Sequence, residues 1–143
     1  MVNYRKILVP LDGSKAAEQA LPAVQTLAKA LNASVCVMRA YYAHVFPGIE
    51  PSLAQKASMR EAEMYVRKIE ERLRVEGIEV DTHTLYEGDP ATAILEHCER
   101  NKIYLIVMAS HGHGVVGHWL LGSVAEKVIH HASAAVFLVR AGK

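Results

Sequence analysis

The chain has 143 residues, of which 51% are hydrophobic and 22% charged. That is the size and make-up of one globular domain and excludes a largely disordered tail or linker. Sixteen Lys and Arg against fifteen Asp and Glu leave a net charge of +1. This speaks against a duplex-binding surface, so no nucleic-acid partner is expected.

No apolar run approaches the ~18 residues of a membrane span, and no membrane partner is expected either. The N-terminus leads into only five apolar residues before Asp12, too few for a secretory leader. Cys36 and Cys98 lie in apolar stretches without CxxC or metal-type spacing. A reduced, cytoplasmic setting without a structural disulfide is therefore expected.

Residues 7–11 form a short apolar run closed by Asp12-Gly13-Ser14, the pattern of a buried strand ending in a turn. Residues 16–31 are rich in Ala, Leu, Gln, Glu and Lys and predict a helix. Pro22 should kink that helix or mark its effective start. Residues 34–40 read as a second strand. Residues 41–51, with Pro47, Gly48 and Pro51, read as a loop.

The longest predicted helix covers 52–76. Its apolar stripe is Met59, Ala62, Val66, Ile69 and Leu73, and Gly77 ends it. Alternation over 78–85 predicts a half-exposed strand near a sheet edge. Asp89-Pro90 then opens a helix, with Asp89 as N-cap and Pro90 in the first turn. Ile94, Leu95 and Cys98 are its expected buried side. Residues 103–109 are almost wholly apolar, as a central parallel strand is. A glycine-rich loop over 110–118, a helix over 123–131 and a last strand over 134–140 complete the chain.

Five strands alternating with four helices predict an α/β fold: one domain over 1–143, with a parallel sheet and helices on both faces. Ligands of such sheets sit beyond the carboxyl ends of the strands, where strand order reverses. Two loops have the composition for this. They are Pro10-Leu11-Asp12-Gly13-Ser14 and Ser110-His111-Gly112-His113-Gly114-Val115-Val116-Gly117.

There is no GxxxxGK[ST] phosphate loop. Gly112 to Gly117 matches GxGxxG literally. A dinucleotide fingerprint, however, belongs to the first strand-turn-helix unit and needs a later acidic residue on the ribose, so the match is a decoy.

A third pattern is Gly112, nine residues, then Gly122-Ser123. Together with Val9-Pro10-Leu11-Asp12, the Gly88-Asp89-Pro90 turn and the run from Val107 to Gly112, it strongly resembles the universal stress protein family along essentially the whole chain. The resemblance implies an open, Rossmann-like sheet of order 3-2-1-4-5, with the Asp12 and Gly112 loops side by side. The ATP-binding branch of the family carries Gly-x-x-Gly, nine residues, then Gly-Ser or Gly-Thr. Here Ala109 stands at the first glycine position, a departure from that pattern.

The resemblance implies ATP as ligand, with or without Mg²⁺. It also implies a homodimer joined through the 134–140 edge strand, whose apolar character invites pairing. The implied site comprises Pro10, Leu11, Asp12, Ala40, Met108, Ala109, His111, Gly112, His113, Gly114, Gly122, Ser123, Val124 and Ala125. Ala40 and Met108 would wall an adenine pocket, or simply be core.

Asp12 can accept from a ribose hydroxyl or the adenine edge, or it can cap a turn. Gly112 lets backbone N–H groups approach a phosphate. Gly122-Ser123-Val124 stands at a helix N-terminus, which favours phosphate. Ser123-Val124-Ala125-Glu126 equally fits a capping box.

His111, His113 and His118 crowd the loop, but residues 100–125 contain no Cys, Asp or Glu, and no metal site is expected. A titrating His113 would make nucleotide affinity rise as pH falls. No Lys or Arg lies between Lys102 and Lys127, which argues against efficient phosphoryl-transfer catalysis. The leading function is a nucleotide-dependent stress regulator. A slow ATP hydrolase and a nucleotide-free dimeric scaffold are the alternatives.

Overall fold

The structure, a computed structural model, describes residues 2–41, 47–86, 88–111 and 121–142. In chain order the elements are β1 (Lys6–Pro10), α1 (Lys15–Glu18), α2 (Leu21–Leu31), β2 (Ser34–Tyr41), α3 (Pro51–Val75), β3 (Val80–Tyr86), α4 (Pro90–Asn101), β4 (Leu105–Ala109), α5 (Ser123–His131) and β5 (Ala135–Val139). The five strands form one parallel sheet of order β3-β2-β1-β4-β5. The expected α/β class, strand order and Rossmann-like arrangement are therefore present.

Strand periodicity sorts the core into two layers. Ile7, Val9, Val35, Val37 and Val107 pack against α2 and α3 through Leu21, Val24, Val66, Ile69 and Leu73. Leu8, Cys36, Met38, Ile106 and Met108 face the other way, onto Ala91, Ile94 and Cys98 of α4 and Ala125 and Val128 of α5. All five β4 residues are buried, as a strand covered on both faces must be. Neighbouring β1 pairs Ile7 with Leu105 and Leu8 with Ile106.

The continuous helix expected over 16–31 is two helices. Pro22 has no N–H to offer the Glu18 carbonyl, and its ring crowds that oxygen. The chain tightens there into i to i−3 bonds, Gln19 N–H to Ala16 O and Ala20 N–H to Ala17 O, and α2 starts afresh with Pro22 in its first turn.

Pro51 opens α3 in the same way. Of the expected α3 stripe, Ala62, Val66, Ile69 and Leu73 are buried, while Met59 is 36% exposed. Gly77, at φ +80°, closes the helix by donating to Arg74 O at 2.9 Å. On α4, Ala91, Ala93, Ile94 and Cys98 are buried, and Leu95 is only half-buried. Both cysteines are free and buried. No helix among the described residues is long and apolar enough to cross a membrane.

Candidate functional site

A cleft of about 460 Å³ opens beyond the carboxyl ends of β1, β2 and β4. It lies where β1 has β2 on one side and β4 on the other, the reversal point of the chain order.

The β1 wall is Pro10, Leu11 and Asp12. Leu11 continues the sheet by donating its N–H to Met38 O at 2.9 Å. Asp12 then turns the chain. Its Oδ1 accepts from Ser14 N–H at 2.9 Å and from Ser14 Oγ at 2.6 Å, while Gly13 between them adopts φ +88°. Ser14 Oγ in turn accepts from Ala17 N–H at 3.1 Å and caps α1. Asp12 thus performs the turn role expected of it while also lining the cleft.

The opposite wall comes from β4 and α5: Met108, Ala109 and His111, then Gly122, Ser123, Val124 and Ala125. Buried Ser110 organises it. Ser110 N–H donates to Val139 O at 2.8 Å, its carbonyl accepts from Gly122 N–H at 2.8 Å, and its hydroxyl accepts from Ala141 N–H at 3.0 Å. One residue so ties β4, β5 and the start of α5 together.

Space is tight at Gly122. Its φ is −63°, which any residue adopts, but a Cβ there would stand 3.2 Å from His111 Cα. Gly122 is also the N-cap of α5, with no side-chain cap hydrogen bond. The capping-box expectation is therefore corrected: Ser123 lies one position inside the helix, beyond the place from which a side chain caps. The leading N–H groups of a helix lack intrahelical partners, and here that end faces the cleft.

The third wall is β2, with the expected Ala40 joined by Met38, Arg39 and Tyr41. Arg39 was not anticipated. Alternation along β2 turns it away from Met38 and Ala40 and towards α3. Its guanidinium grips the Glu61 carboxylate in two parallel contacts of 2.8 and 2.7 Å, lies 4.9 Å over the Tyr65 ring, and borders the space beside Gly13. The signal in the sequence was a single charge inside an otherwise apolar strand. The cleft therefore does border a permanent cation, delivered by a distant strand rather than by the glycine loop.

Burial, then the hydrogen bond to Glu18 Oε2 at 2.9 Å, pushes the Tyr65 hydroxyl above its usual range. Below the cleft Asp89 caps α4, accepting from Ala91 N–H at 3.2 Å and Thr92 Oγ at 2.7 Å. The Lys127 ammonium bonds the same carboxylate. Lys127 first, then Thr92, holds Asp89 down at about 2.

Every implied site residue within the described chain therefore borders this one cleft. Gly112, His113, Gly114 and the neighbouring His118 lie outside the described residues. Among the described residues no group of three or more His, Cys, Asp or Glu is placed to hold a metal. A second cleft among the described residues, about 590 Å³, lies beside β3 and is lined by Cys36, His83 and His97 among others. Burial pushes its Cys36 thiol up to about 12, which disfavours the reactive thiolate.

Residues 3–140 match the model of the universal stress protein family. The chain belongs to that family. A universal stress protein of Methanocaldococcus jannaschii, MJ0531, is 32% identical over 98% of this chain and 84% of its own length. One of Thermus aquaticus is 33% identical over 96% of this chain and 99% of its own. The solved universal stress protein UspA of Lactobacillus plantarum superposes with a TM-score of 0.84 at 25% identity, covering 98% of this chain and all of that one. Two solved members are more distant and share the fold. One is in complex with cAMP, at 20% identity and a TM-score of 0.75. The other, from Archaeoglobus fulgidus, is in complex with dAMP, at 22% and 0.70.

Proposed function

We propose that this universal stress protein binds an adenine nucleotide in the cleft between β1, β2 and β4. On this reading it works, as one domain over residues 1–143, through its bound state rather than through efficient turnover. The observation that carries the reading is the N-terminus of α5, without a side-chain cap among the described residues, opening at the strand-order reversal opposite the Asp12 carboxylate. A helix N-terminus offers N–H donors and about half a positive charge to a phosphate. Asp12, some distance across the cleft, offers an acceptor to a ribose hydroxyl, and the flat apolar surface of Met108 and Ala40 suits a base.

ATP, with or without Mg²⁺, is the nucleotide that the sequence resemblance names. A three-phosphate chain would call on the Gly112–Gly114 backbone as well as on α5. The complexes of two relatives with cAMP and dAMP support an adenine ligand in a fold of this kind. The protein acts in the cytoplasm as a homodimer joined along β5.

The test is to purify the protein without added nucleotide, denature it and identify what is released. Stoichiometric adenine nucleotide is the expected result. A protein that releases none, and that binds none when ATP, ADP or AMP is supplied, is a nucleotide-free scaffold.

A further inference from the structure

Given an adenine nucleotide in this cleft, we infer that the Arg39–Glu61 pair selects ligands by charge, with Glu61 acting against polyphosphate. Among the described lining residues the ionised side chains are Asp12 and Glu61 against Arg39. Arg39 is a cation that phosphate could draw on, since a guanidinium presents five N–H donors in a planar fork. Its geometry shows where those donors go. Two are committed to Glu61 at 2.8 and 2.7 Å, the parallel arrangement in which carboxylate holds guanidinium most firmly.

The Arg39 side chain is only 13% exposed, whereas Glu61, anchored on α3, is 60% exposed. The cation is thus held in the wall of the cleft, braced on Tyr65, and its neutralising partner stands at the mouth. The 103–126 segment adds no Lys or Arg, whatever its course. Arg39 is neutralised by Glu61 within the wall. The positive end of α5 then faces the ligand with about half a unit charge, enough to favour one phosphate. Each further phosphate gains less, because the guanidinium that would attract it is already matched.

The test compares adenosine, AMP and magnesium-free ATP by calorimetry at fixed low salt, on the full-length native protein, Glu61→Gln and Arg39→Gln. Adenosine is the uncharged reference. The ATP-to-adenosine affinity ratio should rise in Glu61→Gln and fall in Arg39→Gln, each by about fivefold, as expected for one unit charge acting on a polyanion at partly screened range. AMP should shift in the same directions by less.

Both substitutions break the same ion pair. A pair that merely braces α3 would therefore move the ratio the same way in both variants, or not at all, and either result overturns the inference while leaving the nucleotide site standing. Circular dichroism confirms that each variant is folded. Should Arg39→Gln fail to fold, Arg39→Lys keeps the charge and loses the fork, and must then leave the ratio near the native value. No binding of any of the three ligands to the native protein removes the nucleotide reading, and the inference with it.

Discussion

Asp12 bears on both the turn and the cleft, and two substitutions separate these roles. Asp12→Ala removes the acceptor of the Ser14 N–H and hydroxyl, and should cost about 1 kcal/mol of folding stability as a lost turn cap. It should also weaken nucleotide binding by about 1.5–3 kcal/mol if a ligand bonds the charged carboxylate. Asp12→Asn keeps an acceptor oxygen for Ser14, so denaturant midpoints should stay near native while binding still falls. Parallel losses of stability and binding in both variants would return Asp12 to the turn alone.

Gly122 follows the same logic. Its missing Cβ makes room for His111 Cα at 3.2 Å, so Gly122→Val should abolish binding and also lower stability by about 1–3 kcal/mol through overpacking. An unfolding curve that matches the native one would show that the 110–111 backbone yields freely. Glycine at this position was legible from sequence, but its reason was not, because His111 is brought against it only by the fold. Arg39 was illegible for a related cause: its partners Glu61 and Tyr65 lie more than twenty positions away on another element.

At the level of elements, local chemistry carried most of the reading. The Asp89-Pro90 start of α4 and the Gly77 end of α3 follow from caps, and the bounds of α5 from periodicity, within a few residues of each boundary. The split of the first helix depended on how the chain would resolve Pro22, and packing of Leu21 and Val24 onto the sheet settled it.

The α4–β3 contact gives a pH prediction. His97 lies 3.6 Å from Cys36 Sγ, stacks on His83 at 4.4 Å between ring centres, and has Asn101 Nδ2 3.3 Å from its Nδ1. Burial first, then His83 and Arg100, lower its pKa, against the opposing pull of Asp81. The neutral ring is thus the one the fold favours. Its contribution is complete above the unfolded value of about 6.5 and is lost as pH falls through the folded value. Melting temperature should therefore fall between about pH 7 and pH 5 more steeply in the native protein than in His97→Gln. Equal slopes would mean that the ring titrates as it does in the unfolded chain.

For the whole molecule, the proposed homodimer turns on β5. It ends the sheet beyond β4, and Phe137 and Leu138 are 45% and 36% exposed. An unpaired edge strand with apolar side chains is a surface that a second copy can cover about a two-fold axis. Light scattering should give twice the 15.7 kDa chain mass, and Phe137→Glu should return the monomer. A native protein that scatters at the chain mass at micromolar concentration excludes the dimer.

The proposed nucleotide site is tested most directly by calorimetric titration of ATP into the native protein and into Ala40→Trp, whose indole would enter the cleft. One site per chain is expected in the native protein, with loss of the binding heat in a folded Ala40→Trp. Equal binding by both proteins would place the nucleotide outside this cleft.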